Sequence, residues 1–128
     1  MSKISTTIVL TALAVGLICL SIGSTAIFAQ TATSISIVPG SSAPTNAKFY
    51  DPSPANIAVG TTVTWTNMDS TLHTVYSGSP DDPNTSGKSF QSTYMAKGQT
   101  FQHKFDTAGT FNYFCTLHPF MMGQIVVS

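Results

Sequence analysis

One short segment near the carboxyl end of the chain carries three kinds of metal donor. Cys115, His118 and Met121 supply a thiol, an imidazole and a thioether at intervals of three residues. This combination suits copper that alternates between two oxidation states. Cu(I) favours soft sulfur, Cu(II) accepts imidazole, and a site of two His, one Cys and a long axial Met accommodates both ions. The segment lacks one nitrogen donor, so the fold must bring a second histidine to it.

His73 is the candidate for that second nitrogen donor, although it lies 42 residues before Cys115. On its own it would be an ordinary surface or capping histidine, and the incomplete donor set is what points to it. The other histidine of this region, His103, alternates with Phe101 and Phe105 and is expected to be structural or partly exposed, in a strand far from the donors. The chain must therefore fold so that two distant segments converge.

The pattern of apolar residues predicts an all-β fold. Thr61–Asn67 alternates, with Val63 and Trp65 on one face and threonines on the other. Further strands are expected at 57–60, 73–76, 100–105, 110–115 and 124–127, and the alternation at 34–38 fits another short strand. Short strands separated by turns rich in Gly, Pro and Asn indicate a Greek-key β-sandwich or barrel.

The amino-terminal region predicts export. A basic residue at Lys3, an almost wholly apolar run over residues 8–28 and a small residue at Ala29 are typical of a secretory signal. The run is also long enough to span a bilayer as an uncleaved anchor helix, so residues 1–29 are a signal peptide or a membrane anchor. Residues 30–46, rich in Thr, Ser, Ala and Pro, predict a linker, which leaves residues 47–128 as the folded domain.

Cysteine use and charge narrow the functional classes. Without the leader, Cys115 has no disulfide partner, and a lone thiol outside the cytoplasm tends to oxidise unless it is used. Lys+Arg and Asp+Glu each number 5, and the sequence has no Arg or Glu. Phosphate backbones are bound by clustered Lys and Arg, so this near-neutral chain is not expected to bind nucleic acid.

The donor segment Cys115-Thr116-Leu117-His118-Pro119-Phe120-Met121 resembles the ligand loop of the cupredoxins, the small blue copper proteins. It is similar to the loops of plastocyanin and especially of amicyanin, which has two residues between successive ligands. The resemblance runs from about Phe49 to Val127 and includes the GTTVTWTN segment at 60–67. It implies an eight-stranded sandwich with one type 1 copper at its end.

By that resemblance, His73, Cys115 and His118 are strong copper ligands and Met121 is the weak axial ligand. Met122 is the alternative axial donor, since it is one residue away. The resemblance also implies a hydrogen bond from the backbone of the residue after the first histidine to the cysteine sulfur.

Two residues depart from the family pattern. Thr74 stands where several relatives carry Asn, and it is expected to supply the backbone N–H but not the side-chain contacts that brace the loops. Leu117 replaces a Pro that is common in this loop, which is expected to make the loop somewhat less rigid.

The function expected from these features is that of an exported one-electron carrier and not of an enzyme. Redox proteins that donate and accept the electron are expected to dock transiently near His118, Pro119 and Phe120, with the chain acting as a monomer. The alternative is an extracytoplasmic copper protein for storage, delivery or sensing. A structural zinc site would not use Met121, because thioether is not a usual zinc donor. A Cys–His nucleophile would likewise give Met121 no role, and a redox-silent sandwich would leave the donors unexplained.

Overall fold

Two four-stranded β-sheets pack against each other in residues 31–128, the part of the chain that the computed structural model describes. The strands are β1 Ala32–Ile37, β2 Tyr50–Asp51, β3 Ala55–Ile57, β4 Thr61–Asn67, β5 Tyr76–Ser77, β6 Thr100–Phe105, β7 Gly109–Phe114 and β8 Met122–Val127. The signal or anchor expected at 1–29 lies outside these residues. Within residues 31–128, no helix is long and apolar enough to cross a membrane.

Both sheets mix parallel and antiparallel pairs. The first has the strand order β2-β1-β4-β6 and the second the order β3-β8-β7-β5. The pairs β1–β4 and β3–β8 are parallel, and the remaining neighbours are antiparallel. Because non-consecutive strands are neighbours, the chain crosses between the sheets. The all-β sandwich of about eight strands expected from the sequence is confirmed.

The core lies between the sheets and is centred on Trp65. Along β4, every second residue is buried, as the alternation of the sequence predicts, and Val63 and Trp65 are completely enclosed. The indole packs against aromatic rings from both sheets and from a loop, with ring centroids 5.4 Å from Tyr113, 5.7 Å from Phe90 and 6.4 Å from Phe105. Burying such rings supplies a large share of the apolar stabilisation in a domain of this size.

The segment expected to be a linker is part of the sandwich. Residues 32–37 form β1, which lies between β2 and β4 and pairs with β4 over its whole length. Ile35 and Ile37 point into the core and are fully buried. The serines and threonines that gave the segment a linker-like composition alternate with these isoleucines. The folded region of the described chain therefore begins at β1 and not at Ala47.

Two other strands are shorter or earlier than expected. The strand predicted at 73–76 is reduced to β5 (Tyr76–Ser77), because the Val75 amide donates to the Ser92 hydroxyl, at 2.8 Å, and not to a neighbouring strand. The strand predicted at 57–60 is β3, which ends at Ile57. A turn follows, in which the Thr61 amide donates to the Ala58 carbonyl and Gly60 has a φ of 91°. Glycine adopts this left-handed conformation without a steric cost.

The topology gathers several loops at one end of the sandwich. Ile37, the last residue of β1, is paired with Asn67, the last residue of β4. Phe114, the last residue of β7, is paired with Tyr76 of β5 and with Met122 of β8. The loops 38–49, 68–75 and 115–121 all start or finish at this end, and they carry the predicted donors.

We expect a chain that starts at Ala47 to lose cooperative folding, whereas a chain that starts at Thr31 keeps it. Removing β1 exposes the edge of β4 and deletes two buried isoleucines. Truncating one such side chain to alanine costs about 2–5 kcal/mol, a large part of the usual stability of a domain. Urea unfolding followed by Trp65 fluorescence measures the difference, with Ile35→Ala in the longer chain as a milder variant. Equal unfolding midpoints for the two chains would contradict this role of β1.

Candidate metal site

The structure brings together three donor atoms from two loops. One donor atom each from His73, Cys115 and His118 lies within 4.8 Å of the others. The Cys115 sulfur is 3.7 Å from Nδ1 of His73 and 3.6 Å from Nδ1 of His118. His73 and Cys115 are fully buried, while His118 is half-buried. The arrangement is a compact donor set that reaches solvent along one imidazole.

The loop that carries Cys115 and His118 is closed by its own backbone. The Cys115 amide donates to the Met121 carbonyl at 3.0 Å, and the Met121 amide donates to the His118 carbonyl at 2.8 Å. These bonds fold the segment back so that Met121 returns to the start of the loop. Its side chain is completely buried, whereas the side chain of Met122 is 58% exposed.

Thr74 links the two loops through both its backbone and its side chain. Its amide donates to the Cys115 sulfur at 3.4 Å, which confirms the hydrogen bond expected from the family resemblance. Its hydroxyl accepts from the Thr116 amide at 2.8 Å and lies 2.8 Å from the Thr116 hydroxyl. The expectation that Thr74 lacks bracing side-chain contacts is therefore wrong. A hydroxyl one bond shorter than the amide of Asn reaches Thr116 because the loops approach closely.

The surroundings of Cys115 favour a thiolate. Burial alone would raise the pKa of the thiol, but the contact with the His73 ring, the hydrogen bond from the Thr74 amide and the contact with the His118 ring outweigh it and lower the pKa to about 6. Metal ions bind the deprotonated sulfur. The surroundings of Cys115 therefore favour the form of the sulfur that binds a metal.

His73 is held from behind by a carboxylate. Its Nε2 lies 2.7 Å from Oδ2 of Asp69 and 3.3 Å from the Ser41 hydroxyl, so Nδ1 faces the Cys115 sulfur. Burial lowers the pKa of His73, but contacts with Cys115 and Asp69 raise it above the ordinary value. Burial likewise raises the pKa of Asp69, but the hydrogen bonds that it accepts from His73 and from the Gly40 amide lower it on balance.

Asn67 fixes the loop from which Asp69 and His73 project. Its side-chain amide donates to the carbonyls of Thr71 and Met95, each at 2.8 Å, and its Oδ1 accepts from the Asp69 amide at 2.9 Å. The backbones of His73 and Met95 also exchange two hydrogen bonds, at 3.2 and 2.9 Å. The position of His73 is therefore set from its backbone and from its ring.

Sequence reasoning missed the residues behind His73. Asp69, Asn67 and Ser41 are all buried, and none was singled out as a candidate for the site. One available signal was a carboxylate four residues before a candidate ligand histidine, in a chain with few charges. Ser41 had no such signal, because it lies in the segment that was expected to be a linker.

Aromatic rings and exposed apolar residues surround His118. The Phe120 ring packs edge-on against His118, with centroids 5.9 Å apart, and against Phe49, with centroids 5.4 Å apart. Leu117 is 44% exposed, and Pro119 is also exposed. His103, by contrast, lies in β6 and packs against Phe90 and Phe105, in agreement with the structural role that its alternation predicted.

The donor set fits copper. A thiolate and two imidazoles within 4.8 Å of one another, with a buried thioether in the same loop, provide the soft and borderline donors that both copper oxidation states accept. A closed zinc site would need a fourth donor of another type. A mixed β-sandwich with such a set at one end is the architecture of a cupredoxin copper protein.

The chain belongs to the plastocyanin/azurin family of copper-binding proteins, whose family model matches residues 40–128. Members of the family bind one copper ion, and the cluster of His73, Cys115 and His118 offers donors of the types that copper accepts.

Individual relatives agree with this membership. Amicyanin-alpha of Methylorubrum extorquens is 39% identical over 80 residues, covering 62% of this chain and 64% of the relative, and so a little less than two thirds of its length. Plastocyanin of Scenedesmus fuscus is 35% identical over 79 residues, which cover 59% of this chain and 81% of the relative. Among solved structures, a purple cupredoxin from Nitrosopumilus maritimus matches with a TM-score of 0.69 and 38% identity, over 75% of this chain and 99% of that one.

We expect Thr74→Val to destabilise the metal-free protein by about 1 kcal/mol, because the partly buried Thr116 amide loses its acceptor. Thr74→Ser keeps the hydroxyl and should stay closer to the parent protein. Urea unfolding of the parent and the two variants measures the effect. If Thr74→Val is as stable as Thr74→Ser, the hydroxyl does not brace the loops.

Proposed function

We propose that this protein is an exported one-electron carrier that holds a single copper ion through His73, Cys115, His118 and Met121. The observation that carries the proposal is the convergence of one thiolate and two imidazoles at the end of the sandwich. Copper, when bound, supplies a one-electron couple between Cu(I) and Cu(II). The proposal assigns no bond-making reaction to the site.

The hydrogen bonds around the donors support electron transfer. The Thr74 amide fixes the Cys115 sulfur, and the backbone pairing with Met95 fixes His73. Donors that are held in place by surrounding contacts keep the same positions in both oxidation states, which lowers the cost of each electron transfer. Full burial of His73 and Cys115 also argues against storage or delivery, since a labile site needs access to its ligands.

Burial supports Met121, and not Met122, as the proposed axial ligand. Met121 is enclosed in the loop that carries Cys115 and His118, and its amide is bonded to the His118 carbonyl. The side chain of Met122 is mostly exposed and starts β8. A one-residue slip would turn Met122 inward only by breaking the pairing of Phe114 with Met122.

Electrons are proposed to enter and leave through His118. Its ring is the one half-buried donor of the three, and exposed apolar side chains lie on its own loop and on the loop of His73. Large exposed side chains among them are those of Leu72 and Met68, each at 46%, and of Leu117 at 44%. A small apolar patch suits brief encounters with redox proteins.

The proposed place of action is outside the cytoplasm. The apolar leader supports this location. A lone thiol at Cys115 is also compatible with it, because copper binding would give the thiol a use in a compartment where free thiols oxidise. Fractionation of cells that express the full chain tests this location. Recovery of the copper domain in the cytoplasm would refute export.

We expect the copper-loaded protein to show an intense visible absorption band that a reductant bleaches and that Cys115→Ser abolishes, because the band requires a thiolate–Cu(II) bond. Ser keeps the size of the side chain and removes the sulfur. Absorption spectra of the parent and the variant, at equal copper content, measure the band. Weak colour with easily exchanged copper would instead favour storage or delivery.

Absorption spectra and reduction potentials together test which methionine is the axial ligand. Met121→Leu should shift the visible band and the reduction potential, because an axial donor tunes both. Met122→Leu, on the neighbouring exposed residue, is the matched control and should leave both unchanged. The reverse pattern would identify Met122 as the ligand.

We expect Leu117→Glu to slow electron exchange between Cu(I) and Cu(II) copies of the protein by about tenfold at low salt, since two approaching patches would then carry like charges. NMR line broadening in mixtures of the two redox states measures this rate without a known partner. Val59→Glu is the control, because Val59 is 47% exposed and its amide pairs with the carbonyl of Ser128, beyond β8 and away from the site. Equal rates for both variants would refute a role for the patch.

A further inference from the structure

Asp69 is a buried carboxylate, and each of its two oxygens accepts a hydrogen bond from another residue of the protein. Its Oδ2 accepts from Nε2 of His73 at 2.7 Å, and its Oδ1 accepts from the Gly40 amide at 2.9 Å. Only 5% of the residue is exposed. A buried charge is costly unless it is paired and hydrogen-bonded, so a carboxylate at this position requires an explanation.

The partners of Asp69 point to His73. Within residues 31–128, the lysine ion pairs join Lys48 to Asp51 and Lys104 to Asp106, and none of them involves Asp69. Among the described residues, the ionisable group that forms an ion-pair contact with Asp69 is the His73 ring. The Asn67 side chain holds the Asp69 amide at 2.9 Å and so sets the direction of the carboxylate before any ligand binds.

We propose that Asp69 is a positioning residue for the copper ligand His73. By accepting the Nε2–H of the ring, the carboxylate fixes the tautomer in which Nδ1 is free and faces the Cys115 sulfur. It also places a negative charge one ring away from the metal, which stabilises Cu(II) more than Cu(I). This inference rests on the proposed copper site and adds to it a residue that sets affinity and reduction potential.

The choice of Asp at this position follows from its two acceptors. His73 and the Gly40 amide face different oxygens of Asp69, and in Asn one of these oxygens would be replaced by an NH2 group that cannot accept a hydrogen bond. The Ser41 hydroxyl is not an equivalent partner, because it lies farther from Nε2, at 3.3 Å, and carries no charge. The carboxylate is also joined through Gly40 to the loop after β1, so the segment 38–49 supports the ligand as well.

Copper affinity and reduction potential of the full chain test the proposal. We expect Asp69→Ala to lower Cu(II) affinity by about 10- to 100-fold and Cu(I) affinity by less, so that the reduction potential rises. Each tenfold difference between the two losses raises it by about 59 mV. Asp69→Asn should shift both quantities in the same direction by a smaller amount. Asn is close in shape to Asp, so Asp69→Asn tests the positioning role even if Asp69→Ala does not fold.

Asp106→Asn is the matched control for charge. It removes one carboxylate from an exposed position just after β6, at the end of the sandwich away from the donors. The proposal requires affinity and potential to stay near the parent values in this variant. If the Asp69 variants fold and match Asp106→Asn in both quantities, Asp69 has no positioning role.

A spectroscopic signature separates positioning from mere stability. In the Cu(I) protein, the Nε2–H of His73 should give an NMR signal protected from exchange with water, and Asp69→Ala should lose this protection. An unchanged signal in Asp69→Ala would overturn the proposal. If the parent chain itself formed no thiolate–copper band, the proposed function would fail first, whereas a normal parent with unaffected Asp69 variants would refute this inference alone.

Discussion

The hydrogen bond from the Thr74 amide to the Cys115 sulfur joins loops that lie 41 residues apart in the sequence. It lies just beyond the pairing of Tyr76 in β5 with Phe114 in β7, so it continues the contact between these two neighbouring strands into the loops at the metal end of the sandwich. The Thr74 hydroxyl strengthens the junction through Thr116. The same junction lowers the pKa of the Cys115 thiol, so the contact that holds the loops together also prepares the sulfur to bind metal.

A second set of contacts holds His73 against that sulfur. Asn67 positions the Asp69 backbone, Asp69 holds the ring, and Met95 pairs with the backbone of His73. Together these contacts join the loop after β4 to the loop before β6, and Gly40 adds the loop after β1. The geometry of the donors thus depends on several segments of the domain and not on the ligand loop alone.

The parts of this structure that the sequence predicts are those that depend on local spacing. Cys115, His118 and Met121 lie close together in the chain, so their spacing is visible in the sequence. The alternation of Val63 and Trp65 with polar residues likewise predicts a single strand. The role of β1 could not be predicted because only two isoleucines of this strand are fully buried, while its serines and threonines are typical of a linker. The roles of Asp69 and of the Thr74 hydroxyl could not be predicted for another reason. Each role depends on a hydrogen-bond partner that only the folded chain brings within 3 Å.

The direction of β1 has a consequence for how the domain is carried. Ala32 pairs with Thr62, near the start of β4, and Ile37 pairs with Asn67, at its finish. The chain therefore enters the sandwich at the end opposite His118 and travels about 20 Å along β1 before it reaches the metal end. Whatever precedes Thr31 is joined to the rear of the domain. The point at which the described chain begins is therefore separated by the length of β1 from the face that another protein would approach.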